Sequence, residues 1–398
     1  MSRLTVDDLK VKGKRVIMRV DFNVPLDENL NVRDDFRIRA ALPTIQKLLN
    51  DGARLILMSH LGRPKGKPVP ELSLKPVAEC LQKYLKNKVY FAPDCVGIEV
   101  KNLANSLQDG EVLLLENLRF HPEEEKNDPE FSAKLAELGE IYVNDAFGTS
   151  HRAHASTAGI TNYIPVRAAG YLLEKELHYL QDMLENPERP FTAIFGGAKV
   201  SDKIDIIERL FGKVDNILIG GGMAFTFLKA KNYEVGKSLL EADKIDFALA
   251  TLKKAEQMGC KIVLPTDVVV ASEISDTAVP EIVSVDQIPP DKIGVDIGPE
   301  TTMIFCEIIE KSKTVLWNGP MGVFEVKQFS TGTESIARKL AEVTTKGVIT
   351  VVGGGDSASA MKKFGLMDKV SHVSTGGGAS LELLSGKELI PINLISKK

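Results

Sequence analysis

No apolar run in this sequence is long enough to cross a bilayer: the longest, Ile217 to Leu228, is short and broken by glycines. The first residues, Met1-Ser2-Arg3-Leu4-Thr5-Val6-Asp7-Asp8, bring acids early and hold no apolar core, so no secretory signal is expected. Cysteine is sparse. The four present, Cys80, Cys95, Cys260 and Cys306, are far apart with no CxxC pair, which argues against a disulfide framework or a zinc knuckle. An excess of positive charge is also missing, since 50 basic residues meet 54 acidic ones for a net charge of −4. A nucleic-acid backbone calls for a net basic surface, so that partner is not expected. Low-complexity tracts are absent. These absences leave a cytoplasmic protein without membrane or nucleic-acid partners, and nothing suggests an obligate interface, so a monomer is expected.

What is present is ordinary globular composition over 398 residues, 43% hydrophobic and 26% charged, which is more chain than one core usually holds. Short β-branched runs alternate with helical patterns throughout, the mark of parallel sheets built from βαβ units. In the first half, strands are expected at 15–20, 54–58, 89–92, 112–115 and 141–143, with helices at 37–50 and 74–85, the latter capped by Ser73. An amphipathic stretch, Val166–Leu184, lies between Pro165 and Pro187 and reads as a connector helix. Strands then resume at 191–195, 216–219, 261–264, 314–317, 347–352 and 372–374, with helices at 203–211, 243–258, 300–311, 334–343 and 357–364. The expected fold is α/β, two Rossmann-like α/β/α lobes with parallel sheets. The expected domains are 1–170, a connector helix 171–186, a second domain 187–385 and a tail 386–398.

Ligands of such sheets bind beyond the carboxyl ends of the strands. In the first half those positions hold Asp21 and Asn23, Ser59-His60-Leu61-Gly62-Arg63, Glu116-Asn117-Leu118-Arg119, and Asn144 to Arg152, while Arg37 opens a helix. One arginine alone would be a solvated surface residue. Four after successive strands suggest a pocket for a small polyanion, because a guanidinium pairs with phosphate or carboxylate in a planar, bidentate way. His151 and His154 lack supporting ligands at metal spacing and read as hydrogen-bonding residues. Glu123-Glu124-Glu125 reads as a solvated loop.

In the second half the strand ends carry glycine: Gly196-Gly197-Ala198-Lys199 with Lys203, Gly220-Gly221-Gly222, Asn318-Gly319-Pro320, Gly353-Gly354-Gly355-Asp356 and Gly376-Gly377-Gly378. Glycine lets backbone approach a phosphate, and a following helix aims free N–H groups at it. Lys199 and Lys203 are four apart where a helix should begin, so one shared face is expected. Asp356, alone among these glycines, suits a magnesium that takes few protein ligands. Gly236-Lys237-Ser238 imitates the end of a P-loop, but Lys231 stands where its first glycine belongs. Gly353-x-Gly355-x-x-Ala358 satisfies a loose dinucleotide fingerprint without a ribose-binding acid at the usual distance, which keeps a dehydrogenase as an alternative. A non-enzymatic anion-binding module is a third.

Several longer segments carry a more specific resemblance. Arg19–Pro25, His60–Pro64, Leu115–Asn127, Asn144–Ala155, Gly196–Ile204, Trp317–Glu325, Gly353–Ser357 and Ser374–Glu382 resemble phosphoglycerate kinases, in that family's order and over essentially the whole chain. Ser357 stands where many members have threonine. The resemblance implies reversible, Mg2+-dependent phosphoryl transfer from 1,3-bisphosphoglycerate to ADP, giving 3-phosphoglycerate and ATP. It implies that Asp21, Phe22, Asn23, Arg37, His60, Leu61, Gly62, Arg63, Arg119 and Arg152 bind the phosphoglycerate. It further implies nucleotide binding by Gly197, Lys203, Gly220, Gly294, Asn318, Glu325, Gly354, Gly355, Asp356 and Ser357. Asp356 would hold the metal, and Arg37, Lys199 and Gly376–Gly378 would meet the moving phosphoryl group. The tail would pack on the first domain. A carboxylate acceptor is already ionised at neutral pH, which explains why no general base or nucleophile constellation is evident. Closure of two lobes would keep water from the donor.

Overall fold

Alternate residues of the first strand feed different cores: Val16 and Met18 enter one, Ile17 another. The second strand does the same, with Leu55 and Leu57 on one side and Ile56 and Met58 on the other. This is how a parallel sheet covered on both faces reads. The computed structural model describes residues 3–398. Two compact units divide the chain, Met1–His178 with Glu388–Lys398, and Tyr179–Lys387.

The first unit holds strands β1 (Arg15–Arg19), β2 (Arg54–Met58), β3 (Val89–Phe91), β4 (Val112–Leu114), β5 (Ile141–Asn144) and β6 (Arg167–Ala169). They form a parallel sheet of order β3-β4-β2-β1-β5-β6. From β1 the chain runs outward first to one side and then to the other, so the crevice beside β1 is the switch point of this sheet. The end of the chain belongs here: Leu4 N donates to Ser396 O at 2.7 Å and Ser396 N to Arg167 O at 3.0 Å.

The second unit holds β7 (Phe191–Phe195), β8 (Asn216–Ile219), β9 (Lys261–Val263), β10 (Asp267–Ala271), β11 (Glu281–Ser284), β12 (Ile293–Ile297), β13 (Thr314–Asn318), β14 (Ile349–Gly353) and β15 (His372–Val373). Six form a parallel sheet of order β15-β14-β13-β7-β8-β9, which places its switch point between β7 and β13. One face is packed with Ile194, Leu218, Val315, Trp317 and Val352.

Three expectations need correction. Val166–Leu184 is not one helix. Arg167–Ala169 is a strand paired with β5, and the helix begins only at Tyr171. Two alanines favour helix locally, but an open sheet edge outweighs that preference. The helical stretch then passes through a π-turn at His178–Asp182. Second, the unit contains an antiparallel sheet of order β11-β10-β12 that parallel-only reading overlooked. Third, the second helix is shorter than expected, Lys75–Gln82. Ser73 does accept from Lys75 N at 3.2 Å, as an N-cap hydroxyl would, while giving its proton to Glu116 at 2.6 Å.

Candidate active site

At the carboxyl edge of the first sheet, short polar side chains lock the loops to one another. Asn23 Oδ1 accepts from Gly62 N at 2.9 Å, tying the turn after β1 to the turn after β2. Asn117 holds the next loop, accepting from Leu61 N at 3.2 Å and donating to Leu61 O at 2.7 Å and Leu72 O at 2.9 Å. Gly62 has φ +63°, and a Cβ there would sit 2.7 Å from Leu72 Cδ2, so the turn needs glycine. Phe22 and Leu61 are buried in the core, leaving only their backbone at the edge.

On this frame the structure gathers most of the expected arginines. Arg37 Nη1 donates to Asp21 Oδ2 at 2.5 Å. Arg119 is buried, donates from Nη1 to Gly62 O at 2.9 Å, and lies 3.3 Å from Glu125 through Nε. Burial lowers the Arg119 pKa, and Arg19 and Arg152 nearby lower it further. Arg152 Nε donates to His151 Nε2 at 3.0 Å. His60 is held well below the usual imidazole range by burial, then by Arg19, Arg119 and Arg37. His154 is held down to about 4 by burial and the same kind of company, Arg19, Arg119 and Arg152. Both rings are neutral at physiological pH. The 3.9 Å approach of His154 Nδ1 to Glu124 is therefore not an ion pair there. Arg63 lies exposed on the following turn.

Arg19, Glu124 and Ser156, buried beneath this edge, were not singled out from the sequence. Glu124 corrects the reading of a solvated acidic loop, because it is fully buried in the short helix Pro122–Glu125. The available signal was Arg19, a charge inside a strand buried on both faces, which demands an internal partner. Nearby, Asp94, Cys95 and His121 cluster, but His121 Nε2 meets Asp94 Oδ1 at 2.7 Å and burial pushes the Cys95 thiol well up, so the thiol keeps its proton.

In the second unit the glycine-rich turns meet at the switch point. Gly196 N donates to Asn318 O at 3.0 Å and Gly197 N to Pro320 O at 2.8 Å. A Cβ on Gly319 would fall 2.2 Å from Gly196 O, so the two turns approach closely only because both lack side chains. Beside them opens a cleft of about 220 Å³, whose walls include Gly197, Phe225, Gly294, Met321, Glu325 and Asp356. Gly294 admits the Phe225 ring, since a Cβ there would come within 1.9 Å of Cζ. Gly220 is placed differently from expectation: it seats Met321, whose Sδ would be 2.6 Å from an added Cβ.

Lys199 and Lys203 do not share a helix face. The helix begins at Ile204, Lys203 is its cap, and Lys199 is exposed on the preceding turn. Lys203 is buried, and that burial lowers its pKa against the pull of Asp202 and Asp356. Its ammonium donates to Asn318 Oδ1. Ser357 is also buried, and its Oγ accepts from Gly319 N at 2.7 Å, tying the β14 turn to the β13 turn. Gly354 has φ +90° and caps the helix Gly355–Lys363, in which Asp356 is exposed. Gly376 N is partly occupied, donating to Ser374 Oγ at 3.1 Å, whereas Gly377 and Gly378 open the next helix.

Arginines gathered at one sheet edge, and glycine turns with a buried lysine at another, define a phosphotransferase built on two parallel sheets. Comparisons with known proteins give the particular family. The phosphoglycerate kinase family model matches residues 6–387. Phosphoglycerate kinase of Chloroherpeton thalassium is 59% identical over 396 residues, covering 100% of both chains, and that of Chlorobium luteolum is 60% identical over 389 residues, covering 98% of both. The solved phosphoglycerate kinase of Coxiella burnetii superposes with a TM-score of 0.88 at 41% identity over 99% of both chains. That of Pyrococcus horikoshii does so at 0.83 and 30% identity over 98% of both. This chain belongs to the phosphoglycerate kinase family. It is a glycolytic transferase, moving a phosphoryl group between phosphoglycerate and adenine nucleotide. The dehydrogenase and binding-module alternatives fall with that membership. Among the described residues no helix is long and apolar enough to cross a membrane.

Proposed function

We propose that the arginine-lined edge of the first sheet holds 3-phosphoglycerate or 1,3-bisphosphoglycerate, and that the glycine-lined cleft of the second holds the nucleotide. The observation that carries this division is chemical: Arg19, Arg37 and Arg119 surround a neutral His60 in one unit, with Arg152 beside Arg119, and Lys203 with Asn318 and the Gly354–Gly355 turn marks the other. Residues 1–170 form the acid-binding domain, 171–186 the connector, 187–385 the nucleotide domain and 386–398 a tail on the first. Asp21 keeps Arg37 compensated and aimed until an anion arrives. Asn23, Gly62 and Arg63 complete the grip, together with the backbone of Phe22 and Leu61.

In the nucleotide cleft, Gly197 and Gly294 shape the base side, Gly220 contributes by seating Met321 of that wall, and Glu325 meets the ribose. Lys203, Asn318 and the Gly354–Ser357 turn receive the phosphates. Asp356 offers an exposed carboxylate on the cleft wall, a hard oxygen suited to a magnesium ion that keeps its waters and phosphate oxygens. Such an ion supplies charge neutralisation across the phosphates when bound.

The acceptor carboxylate is ionised already, so the chain's residues need only bind, orient and exclude water. Arg37 and Lys199 stabilise the charge on the moving phosphoryl group, with the free amides of Gly377 and Gly378 and, after release from Ser374, that of Gly376. Sequestration follows from closure of the two domains around both substrates. The enzyme works in the cytoplasm as a monomer. Scattering profiles test the closure: the radius of gyration should fall only when 3-phosphoglycerate and the magnesium nucleotide are both present. No compaction in the ternary complex would overturn it.

A further inference from the structure

Beneath the arginines runs a chain of buried hydrogen bonds whose direction is forced at every link. Arg19 is 1% exposed and Glu124 0%, so two opposite charges sit in the interior, away from bulk solvent. Arg19 Nε donates to Ser156 Oγ at 2.8 Å, because a guanidinium has no acceptor. The Ser156 hydroxyl then spends its one proton on Glu124 Oε1, at 2.6 Å, while Ser156 N donates to Glu124 Oε2 at 2.9 Å. On its other side, Arg19 Nη2 lies 3.1 Å from His60 Nδ1. Arginine can only donate there, so Nδ1 must carry a lone pair and the imidazole proton must reside on Nε2.

We propose that Glu124 is a positioning residue for phosphoglycerate binding, acting through Ser156 and Arg19 to hold His60 as an oriented Nε2–H donor. This rests on the reading that His60 touches the substrate. The groups that act most strongly on His60 are Arg19, Arg119, Arg37 and His154, all basic, so an imidazolium would be repelled. The site therefore combines fixed positive charge from arginines with one neutral, directional donor. Glu124 compensates Arg19 from below, faces Arg119 as well, and keeps the Arg19 fork turned toward the ring.

Side-chain 15N spectra of histidine, with His60 assigned from His60→Gln, read the tautomer directly. In the wild-type enzyme His60 should show a bare Nδ1 and a protonated Nε2. Glu124→Gln puts an amide donor against Ser156 and leaves Arg19 uncompensated, so the Arg19 fork is free to turn from the ring. The variant should give a mixed His60 tautomer and a KM for 3-phosphoglycerate raised about 10-fold, the scale of one hydrogen bond to a charged group, with KM for magnesium ATP unchanged. Ser156→Ala, which cuts the same chain, should act alike and serves if Glu124→Gln folds poorly. A proton on Nδ1 in the wild type overturns the proposal, as do variants that leave both tautomer and KM unmoved. His60→Gln separates the two ideas: an unchanged KM removes His60 from the substrate and the proposal with it, while a raised KM beside a silent Glu124→Gln refutes Glu124 alone.

Discussion

Lys203 donates its ammonium to the side-chain oxygen of Asn318, and this fixes which way the Asn318 amide points. Lysine cannot accept, so Oδ1 faces Lys203 and the NH2 group is left toward Gly354, where a Cβ would lie 3.1 Å from Nδ2. That buried nitrogen has no hydrogen-bond partner within the protein. A buried donor without an acceptor is costly, about 1–3 kcal/mol, and an incoming phosphate oxygen would relieve it.

Asn318 variants should separate this donor from mere support of Lys203. Asn318→Ala should weaken magnesium ADP binding about 10-fold by calorimetry. Asn318→Asp gives Lys203 a better partner but sets an anion where the donor stood, so it should bind nucleotide more weakly than Asn318→Ala. The reverse order would mean that Asn318 serves only Lys203.

Arg37 is half-buried and paired with Asp21 before any substrate arrives. If its charge acts chiefly on the moving phosphoryl group, Arg37→Ala lowers kcat by about 100-fold or more while KM for 3-phosphoglycerate changes little. Steady-state kinetics decide the matter, since normal kcat with raised KM would assign Arg37 to ground-state binding.

Asp145 is fully buried, and that burial pushes its pKa up to about 7, although its Oδ1 accepts from Leu173 N at 3.0 Å. The folded state thus holds a proton that the unfolded chain releases near the ordinary Asp value. Stability from this group is fully present below that value and is lost as pH rises through about 7. Asp145→Asn, neutral at every pH, should flatten the decline and melt at a higher temperature than wild type at pH about 8. Thermal unfolding across this range checks it, and an identical slope in both proteins would contradict it.

Asp356 is the exposed carboxylate on the cleft wall. Asp356→Asn should raise the Mg2+ concentration for half-maximal activity about 10-fold or more, with KM for 3-phosphoglycerate unaltered. A metal titration of the forward and reverse reactions measures this, and an unchanged requirement would remove Asp356 as a ligand.

Strands β2, β7 and β8 were legible residue by residue, because apolar runs buried on both faces leave little choice of structure. β6 was not, since Arg-Ala-Ala carries no strand signal and pairs only because β5 offers an edge. Glu124 looked like one of three solvated acids, and nothing local distinguishes it. Its burial depends on Ser156 and Arg19, which are distant in the chain. The lysines after β7 were legible as two cations at a glycine-rich turn, yet their division into exposed Lys199 and buried Lys203 required knowing where the helix starts.

Residue order alone was enough to specify the two parallel sheets, the arginines after one set of strands, the glycines after the other, and the family. Those are properties of period, turn chemistry and long motifs, all written in neighbouring residues. Tertiary structure decided which groups are buried together, and hence which protons they hold. The neutral His60, the directed amide of Asn318 and the raised carboxyl of Asp145 each follow from desolvation and from partners brought in from elsewhere in the chain. Charge state and hydrogen-bond direction are set by surroundings, and surroundings exist only once the chain has folded.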